Sequence, residues 1–291
     1  MNILLCGAKG QLGTDCIAVL SDDHAITAVD IDELDIAAPA SVHAVVEAAR
    51  PGVIINCAAY TDVDGCEINR ETAFAVNADG PANLADAARA VGATLLHIST
   101  DYVFNGDRAV PEAWTETDPV NPVSVYGKSK AAGEKAVLAA DTQNIVLRTA
   151  WLYGISGKNF LKTILRLALN NPCKQITVVA DQFGSPTWSY TLARQIKILI
   201  TSGGSGIYHA TGEGYCSWHD LAAYFLKKMD VLHAITPCTN AEYPTPAPRP
   251  ANSILANHRL SEQGINQMQN WQDDVDQFID RHRQTLLEMF T

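Results

Sequence analysis

The 291-residue sequence is short of the features that would place it in a membrane, in an oxidising compartment or on a nucleic acid. No uninterrupted apolar run reaches the ~18 residues that a membrane-spanning helix needs. The seven cysteines, at 6, 16, 57, 66, 173, 216 and 238, are odd in number, scattered and without a Cys-x-x-Cys pair. Neither a disulfide framework nor a zinc site is therefore expected, and a reduced cytoplasm is the expected setting. Basic residues are scarce, with 21 Lys and Arg against 32 Asp and Glu and a formal net charge of -11. An extended nucleic-acid surface would need a basic patch that this balance does not supply. The N-terminus runs into an apolar segment without a basic region or a small-residue cleavage site, so no secretory signal is expected. There is no internal repeat.

What is present is an alternation of short apolar strands and helical stretches. Residues 2–6 are apolar on both strand faces, as in a sheet covered on both sides. Gly7-Ala8-Lys9-Gly10-Gln11-Leu12-Gly13 follows and leads into a helix. Strand, glycine-rich turn and helix form the context of a dinucleotide site, in which glycines admit the pyrophosphate and the helix N–H groups point at it. The spacing here is Gly-x-x-Gly-x-x-Gly. A second strand, 25–29, ends at Asp30, about 20 residues beyond the middle glycine, where a carboxylate reads the ribose hydroxyls of NAD. No Lys or Arg lies between Lys9 and Arg50, so a 2′-phosphate has no cation nearby in sequence. NADH is accordingly favoured over NADPH.

Further strands are expected at 53–57, 93–98 and 144–148, with helices over 39–50, roughly 70–90 and from Tyr126. The loop 61–67 joins the third strand to the second of these helices, and Gly80-Pro81 is expected to bend it. Such alternation implies an α/β fold, a Rossmann-like doubly wound parallel sheet with ligands at the strands' carboxyl ends. Residues 1–150 are assigned to a nucleotide-binding domain and 151–291 to a smaller α/β substrate domain, with segments near 181–210 returning to the first. The proline-rich stretch 243–250 reads either as an exposed polyproline segment or as an ordered loop against the site.

Tyr126 and Lys130, four residues apart on a helix, share one face roughly 6 Å apart along the axis. An ammonium beside a phenol favours phenolate and lowers its pKa from ~10. That suits proton exchange with a carbonyl–alcohol pair.

In order along the chain stand the glycine turn, Ser99-Thr100 at the end of the fourth strand, and Tyr126-x-x-x-Lys130. Together they resemble the extended short-chain dehydrogenase/reductase superfamily. The blocks Gly10-Gln11-Leu12-Gly13, Ser99-Thr100-Asp101-Tyr102-Val103-Phe104, Arg148-Thr149-Ala150-Trp151, Asp181-Gln182-Phe183-Gly184-Ser185-Pro186-Thr187 and Arg249-Pro250-Ala251-Asn252-Ser253 are similar to the dTDP-4-dehydrorhamnose reductase family. That resemblance implies reduction of the 4-keto group of a dTDP-sugar by a nicotinamide cofactor. It makes Tyr126 the proton donor, Lys130 the group that lowers its pKa and holds the nicotinamide ribose, and Thr100 the partner of the carbonyl oxygen. It places Gly7, Gly10, Gln11, Leu12, Gly13, Asp30, Ala58, Ala59 and Tyr60 at the cofactor, with Asp35 and Ile36 bracketing the adenine. Asp101 and Trp151 fall at substrate positions.

Alternatives stay open for several of these. Trp151 also reads as a core aromatic, Asn77 as a cofactor-site residue or a satisfied helix polar group, and Arg249 as a diphosphate cation or a surface charge. His97, His209 and His219 read as structural. Some family members dimerise through a magnesium; with Asp15 at one position and Tyr190 in place of a second carboxylate, no metal is expected here and a homodimer is left open. The expected partner is a small nucleotide sugar. Two other functions compete: an epimerase or dehydratase of the same superfamily, and a non-catalytic regulatory subunit such as the methionine adenosyltransferase β subunit.

Overall fold

The computed structural model describes residues 1–171 and 174–290. The chain opens with β1 (Asn2–Cys6), α1 (Gln11–Leu20), β2 (Ala25–Val29), α2 (Pro39–Ala49) and β3 (Val53–Asn56). Two short helices, α3 (Val63–Ile68) and α4 (Arg70–Phe74), lead through a π-helical turn, Ala75–Asp79, into α5 (Gly80–Val91). Then come β4 (Thr94–Thr100), α6 (Val125–Ala140) and β5 (Ile145–Thr149). The later elements are β6 (Leu152–Tyr153), α7 (Phe160–Asn170), β7 (Ile176–Val179), β8 (Phe183–Gly184), β9 (Thr187–Trp188) and α8 (Ser189–Ser202). They continue with β10 (Gly206–His209), β11 (Cys216–Ser217), α9 (Trp218–Lys228), β12 (Ile235–Cys238), α10 (His258–Glu262) and α11 (Trp271–Glu288).

Six strands form one parallel sheet in the order β10-β5-β4-β3-β1-β2. Period-two alternation sends successive residues to opposite faces, and both faces are buried. Ile3, Leu5, Ile55, Leu96 and Leu147 pack with Leu12, Cys16 and Leu20 of α1 and Leu192 and Ile196 of α8. Leu4, Cys6, Ile54, Leu95 and Val146 pack on the other side with α2, α5 and α6. A separate core joins α7, α9 and α11 through Leu161, Leu165, Phe225 and Phe278. The strand order reverses at β1, between β2 and β3, and the carboxyl ends beside that reversal are where such sheets bind ligands.

Three local features differ from the sequence reading. Residues 63–68 form α3 rather than continuing the loop, because Asp62 caps the turn by accepting the Gly65 N–H at 2.9 Å. The helix expected over 70–90 is split by the π turn. Pro81 has no N–H to donate to the Asn77 carbonyl, so the ladder reorganises just before it. That freed carbonyl is packed against α6 at Gly133, where a Cβ would lie 2.2 Å from the oxygen. The short pairs β6–β9 and β8–β11 were not anticipated, as two-residue strands carry no periodicity. The stretch 243–250 is an ordered loop, held in part by a hydrogen bond from the Ala247 N–H to Asp64 Oδ1 at 3.1 Å. Cys6, Cys16, Cys57, Cys66, Cys216 and Cys238 are free thiols; Cys173 lies outside the described residues. Among the described residues, no helix is long and apolar enough to cross a membrane.

Candidate active site

A cleft of about 780 Å³ opens over the carboxyl ends of β1, β3, β4 and β5. One wall is the glycine turn and the start of α1, Gly10 to Gly13. Gly7 has φ +76°, and a Cβ there would sit 2.7 Å from the Ala58 backbone nitrogen. A side chain is therefore excluded twice, by backbone conformation and by the close approach of the β3 turn. No side chain caps α1 at Gly10, so the helix N-terminus faces the cleft with backbone donors and a partial positive charge, a cradle that fits a pyrophosphate.

Asp30 is tied to the same turn, accepting the Lys9 N–H at 2.8 Å on Oδ2 and the Ile31 N–H at 2.9 Å on Oδ1. Lys9 also brings an ammonium to the end of β2, where its Nζ lies 2.7 Å from Asp32 Oδ2. The sequence distance from Lys9 to Asp30 concealed this. Asp35 turns back to accept the Ala37 N–H at 2.9 Å. Ile36 is buried in the core beside Gly80.

The opposite wall is the end of β4 with α6. Ser124 caps α6 by accepting the Gly127 N–H at 3.1 Å, and the helix pitch places Tyr126 and Lys130 together on the cleft. Thr100, at the end of β4, donates to Asp101 Oδ1 at 2.9 Å. Burial pushes the Tyr126 phenol well above its usual range, and a hydrogen bond with Thr100 opposes that rise. In this arrangement burial is the largest influence on the phenol, with the nearby Asp101 adding to the rise. The Lys130 Nζ is directed at the sheet, donating to the Ile98 carbonyl at 2.6 Å and lying 3.2 Å from His97 Nε2. Burial lowers the Lys130 pKa to about 8, against the opposing charge of Glu134. Burial likewise raises Asp101 to about 6.

Asn77 does not line the cleft. Its Oδ1 accepts the Tyr60 N–H at 2.8 Å, and its Nδ2 donates to the Tyr60 carbonyl at 3.0 Å and to Ser129 Oγ at 3.1 Å. It thus pins the Ala58-Ala59-Tyr60 turn to α6. Ala59 lines the cleft, whereas Ala58 and Tyr60 form the turn behind it.

The far rim is aromatic. Trp151 has φ +47°, a conformation unusual outside glycine, and its ring stacks on Trp218 with centroids 3.4 Å apart. A second cleft of about 510 Å³ shares Phe160 and Trp218 with the first and continues past Gln182, Asn240 and Tyr243 to Arg249. Arg249 pairs with Asp64 at 2.9 Å through Nη2. Its buried Nη1 has no partner among the described residues.

Comparisons with known proteins decide the family. The family model of the RmlD substrate binding domain matches residues 1–284. A dTDP-4-dehydrorhamnose reductase from Aggregatibacter actinomycetemcomitans is 41% identical over 285 residues, spanning 93% of this chain and 96% of the relative. The chain belongs to the dTDP-4-dehydrorhamnose reductase family. This reductase family also includes a solved structure from Bacillus anthracis str. Ames, in complex with NADP, that is 39% identical with a TM-score of 0.93, covering 96% of this chain and 99% of that one. A Streptomyces antibioticus relative named as a probable dTDP-4,6-dihydroxy-2-methyloxan-3-one 4-ketoreductase is 40% identical over 275 residues, spanning 93% of this chain and 92% of the relative.

Several residues that shape this reductase site escaped the sequence reading. Phe160 and Trp218 open α7 and α9 and belong to no motif, yet they close the cleft around Trp151. Lys158 lines the cleft from a loop without a motif. Beneath Lys130 lies a buried ionic cluster: Ser99 Oγ donates to Glu134 Oε1 at 2.6 Å, and Arg148 donates to Glu134 at 2.9 and 2.7 Å. The i, i+4 step from Lys130 to Glu134 was the available signal; the strand partners Ser99 and Arg148 lie far apart in sequence.

Proposed function

We propose that the protein reduces the 4-keto group of dTDP-4-dehydro-β-L-rhamnose, giving dTDP-L-rhamnose. The observation that carries this reading is the meeting of the α1 N-terminus with Thr100, Tyr126 and Lys130 in one cleft. A reduced nicotinamide, bound along Gly7 to Gly13, supplies the hydride to the carbonyl carbon.

On this proposal Tyr126 delivers a proton to the carbonyl oxygen as it becomes an alcohol, while the Thr100 hydroxyl turns from Asp101 and donates its hydrogen bond to that oxygen. The buried phenol is suited to this direction because it holds its proton until negative charge develops beside it. Lys130, in its charged form, stabilises the tyrosinate that remains and holds ribose hydroxyls of the cofactor. Asp101 and Trp151 contact the sugar, and the Trp151–Trp218 stack shields the reacting centre from water. Arg249 serves the diphosphate or base from the second cleft, its unpaired Nη1 being a donor that an anion would satisfy.

The cofactor choice follows from two groups that oppose each other. Asp30 favours the free ribose hydroxyls of NADH, whereas Lys9 offers a cation within reach of a 2′-phosphate. NADH is the preferred donor and NADPH an accepted one. The reduced cytoplasm is the place of action on this proposal, in keeping with the six free thiols among the described residues.

A second substrate is favoured by the Streptomyces antibioticus relative, which matches nearly as well and is named for a different dTDP-4-ketosugar. Consumption of NADH and NADPH over a panel of nucleotide 4-ketosugars tests the proposal. Efficient turnover of dTDP-4-dehydrorhamnose supports it. Preference for another ketosugar, or no turnover at all despite cofactor binding, overturns it.

A further inference from the structure

His97 is a buried histidine on β4 whose ring bridges two strands and the active-site helix. Asn56 Nδ2 lies 3.1 Å from His97 Nδ1, and His97 Nε2 lies 3.2 Å from Lys130 Nζ. The direction of the hydrogen bonds along this row is fixed at its far end. The Ala58 backbone N–H donates to Asn56 Oδ1 at 3.0 Å. A backbone N–H can only donate, so Asn56 must present its oxygen to Ala58 and its amide N–H to His97. His97 Nδ1 must then accept, and a neutral imidazole has its remaining proton on Nε2. The ring is neutral: burial, reinforced by the charge of Lys130, holds its pKa well below the usual histidine value.

The consequence falls on Lys130. An ammonium can only donate, so a charged Nζ would face the Nε2–H donor to donor. An amine has a lone pair with which to accept that hydrogen, while still donating to the Ile98 carbonyl. We propose that Asn56 and His97 are positioning residues that make the amine form of Lys130 the hydrogen-bonded one, lowering the pH at which it gives up its proton. This adds to the effect of burial and sets the alkaline limb of the pH profile. The inference about turnover rests on the function proposed above; the hydrogen-bond polarity does not.

The other ionisable groups around Lys130 do not supply the same effect. Glu134, one turn along α6, and Cys57, after β3, both favour the charged amine. Arg148 is engaged by Glu134 at 2.7 Å. Tyr126 holds its proton, and Asp101 is bonded to Thr100.

The test uses the intact protein and needs no substrate for its first two readouts. Nitrogen NMR of His97, assigned with a His97→Phe variant, should show the Nε2–H tautomer; an Nδ1–H tautomer or an imidazolium overturns the proposal. Titration of the Lys130 side chain, followed at its labelled Cε, should move up by about one pH unit or more in His97→Phe and in Asn56→Ala. Asn56→Ala is the sharper variant, because Asn56 does not bond Lys130 yet its loss frees the ring to switch tautomer. An unmoved titration in both variants, with the fold retained, would leave burial as the sole cause and overturn the proposal. If either variant fails to fold, the wild-type tautomer still decides. In the reductase assay the alkaline limb of kcat/KM should rise with the titration. A shifted titration without reductase activity would keep the polarity argument and reject the function.

Discussion

Replacing Glu134 by Gln should unfold the protein far more readily than its chemical modesty suggests. The Glu134 carboxylate accepts from Ser99 at 2.6 Å and from Arg148 at 2.9 and 2.7 Å. Both side chains of the ion pair are almost wholly buried, 2% exposed for Arg148 and 5% for Glu134. A glutamine keeps one acceptor oxygen but turns an NH2 group against the guanidinium. Arg148 is then a buried charge without a counter-charge, left with His209 at 3.3 Å and the Phe104 ring at 5.1 Å. Removing one partner of a buried pair costs about 3–5 kcal/mol. For a protein of this size that corresponds to a fall in melting temperature of roughly 5–8 °C. Urea unfolding of Glu134→Gln beside the wild type measures it. A loss below about 1 kcal/mol would refute the reasoning, since that is the range of solvent-screened pairs. The double variant Glu134→Gln/Arg148→Met, which removes the stranded charge, should recover a substantial part of the loss. Because Glu134 also favours the charged form of Lys130, Glu134→Gln should bring the Lys130 pKa below about 8.

Two further predictions address the scaffold. Gly133→Ala should cost about 1–3 kcal/mol in urea unfolding and lower turnover, because its Cβ would lie 2.2 Å from the Asn77 carbonyl and displace the helix carrying Tyr126 and Lys130; wild-type stability would show that the π turn yields freely. Asp274, buried at the start of α11, has its pKa raised to about 7 by burial. A carboxyl whose folded pKa is raised gives its full stabilisation below ~4, and loses it as pH rises through about 7. Asp274→Asn should therefore gain stability relative to wild type at pH 8 compared with pH 5, by at most about 3 kcal/mol. Equal differences at the two pH values in thermal melts would contradict this.

The sheet was legible because strands such as β1 and β3, buried on both faces, carry apolar runs bounded by glycine, proline and charge. Leu4 and Leu5 reach opposite cores, yet both had to be apolar. Tyr126 and Lys130 were legible because helical spacing alone puts them side by side. What they touch was not. That Lys130 meets His97, and that Asn56 fixes the polarity of that contact, depends on the register of β3 against β4, which pairs Asn56 with His97. A lone histidine in a strand carries no spacing signal, and His97 accordingly read as structural. The acidifying role expected of Lys130 assumed an aqueous neighbourhood. Burial of the phenol, a tertiary property that raises its pKa, could not be read from that spacing. Trp151 could be placed at the substrate only through resemblance. Its left-handed backbone and its stack on Trp218 depend on a residue 67 positions away.

On the function proposed above, Tyr126 gives its proton to the carbonyl oxygen of a nucleotide 4-ketosugar as hydride arrives from the cofactor. Steady-state oxidation of NADH and NADPH with dTDP-4-dehydrorhamnose, by wild type and Tyr126→Phe, tests it most directly when cofactor affinity is measured alongside. The wild type should turn over, the variant should lose about 10²-fold or more, and cofactor affinity should stay unchanged within a few-fold. Near-normal turnover by Tyr126→Phe would contradict it.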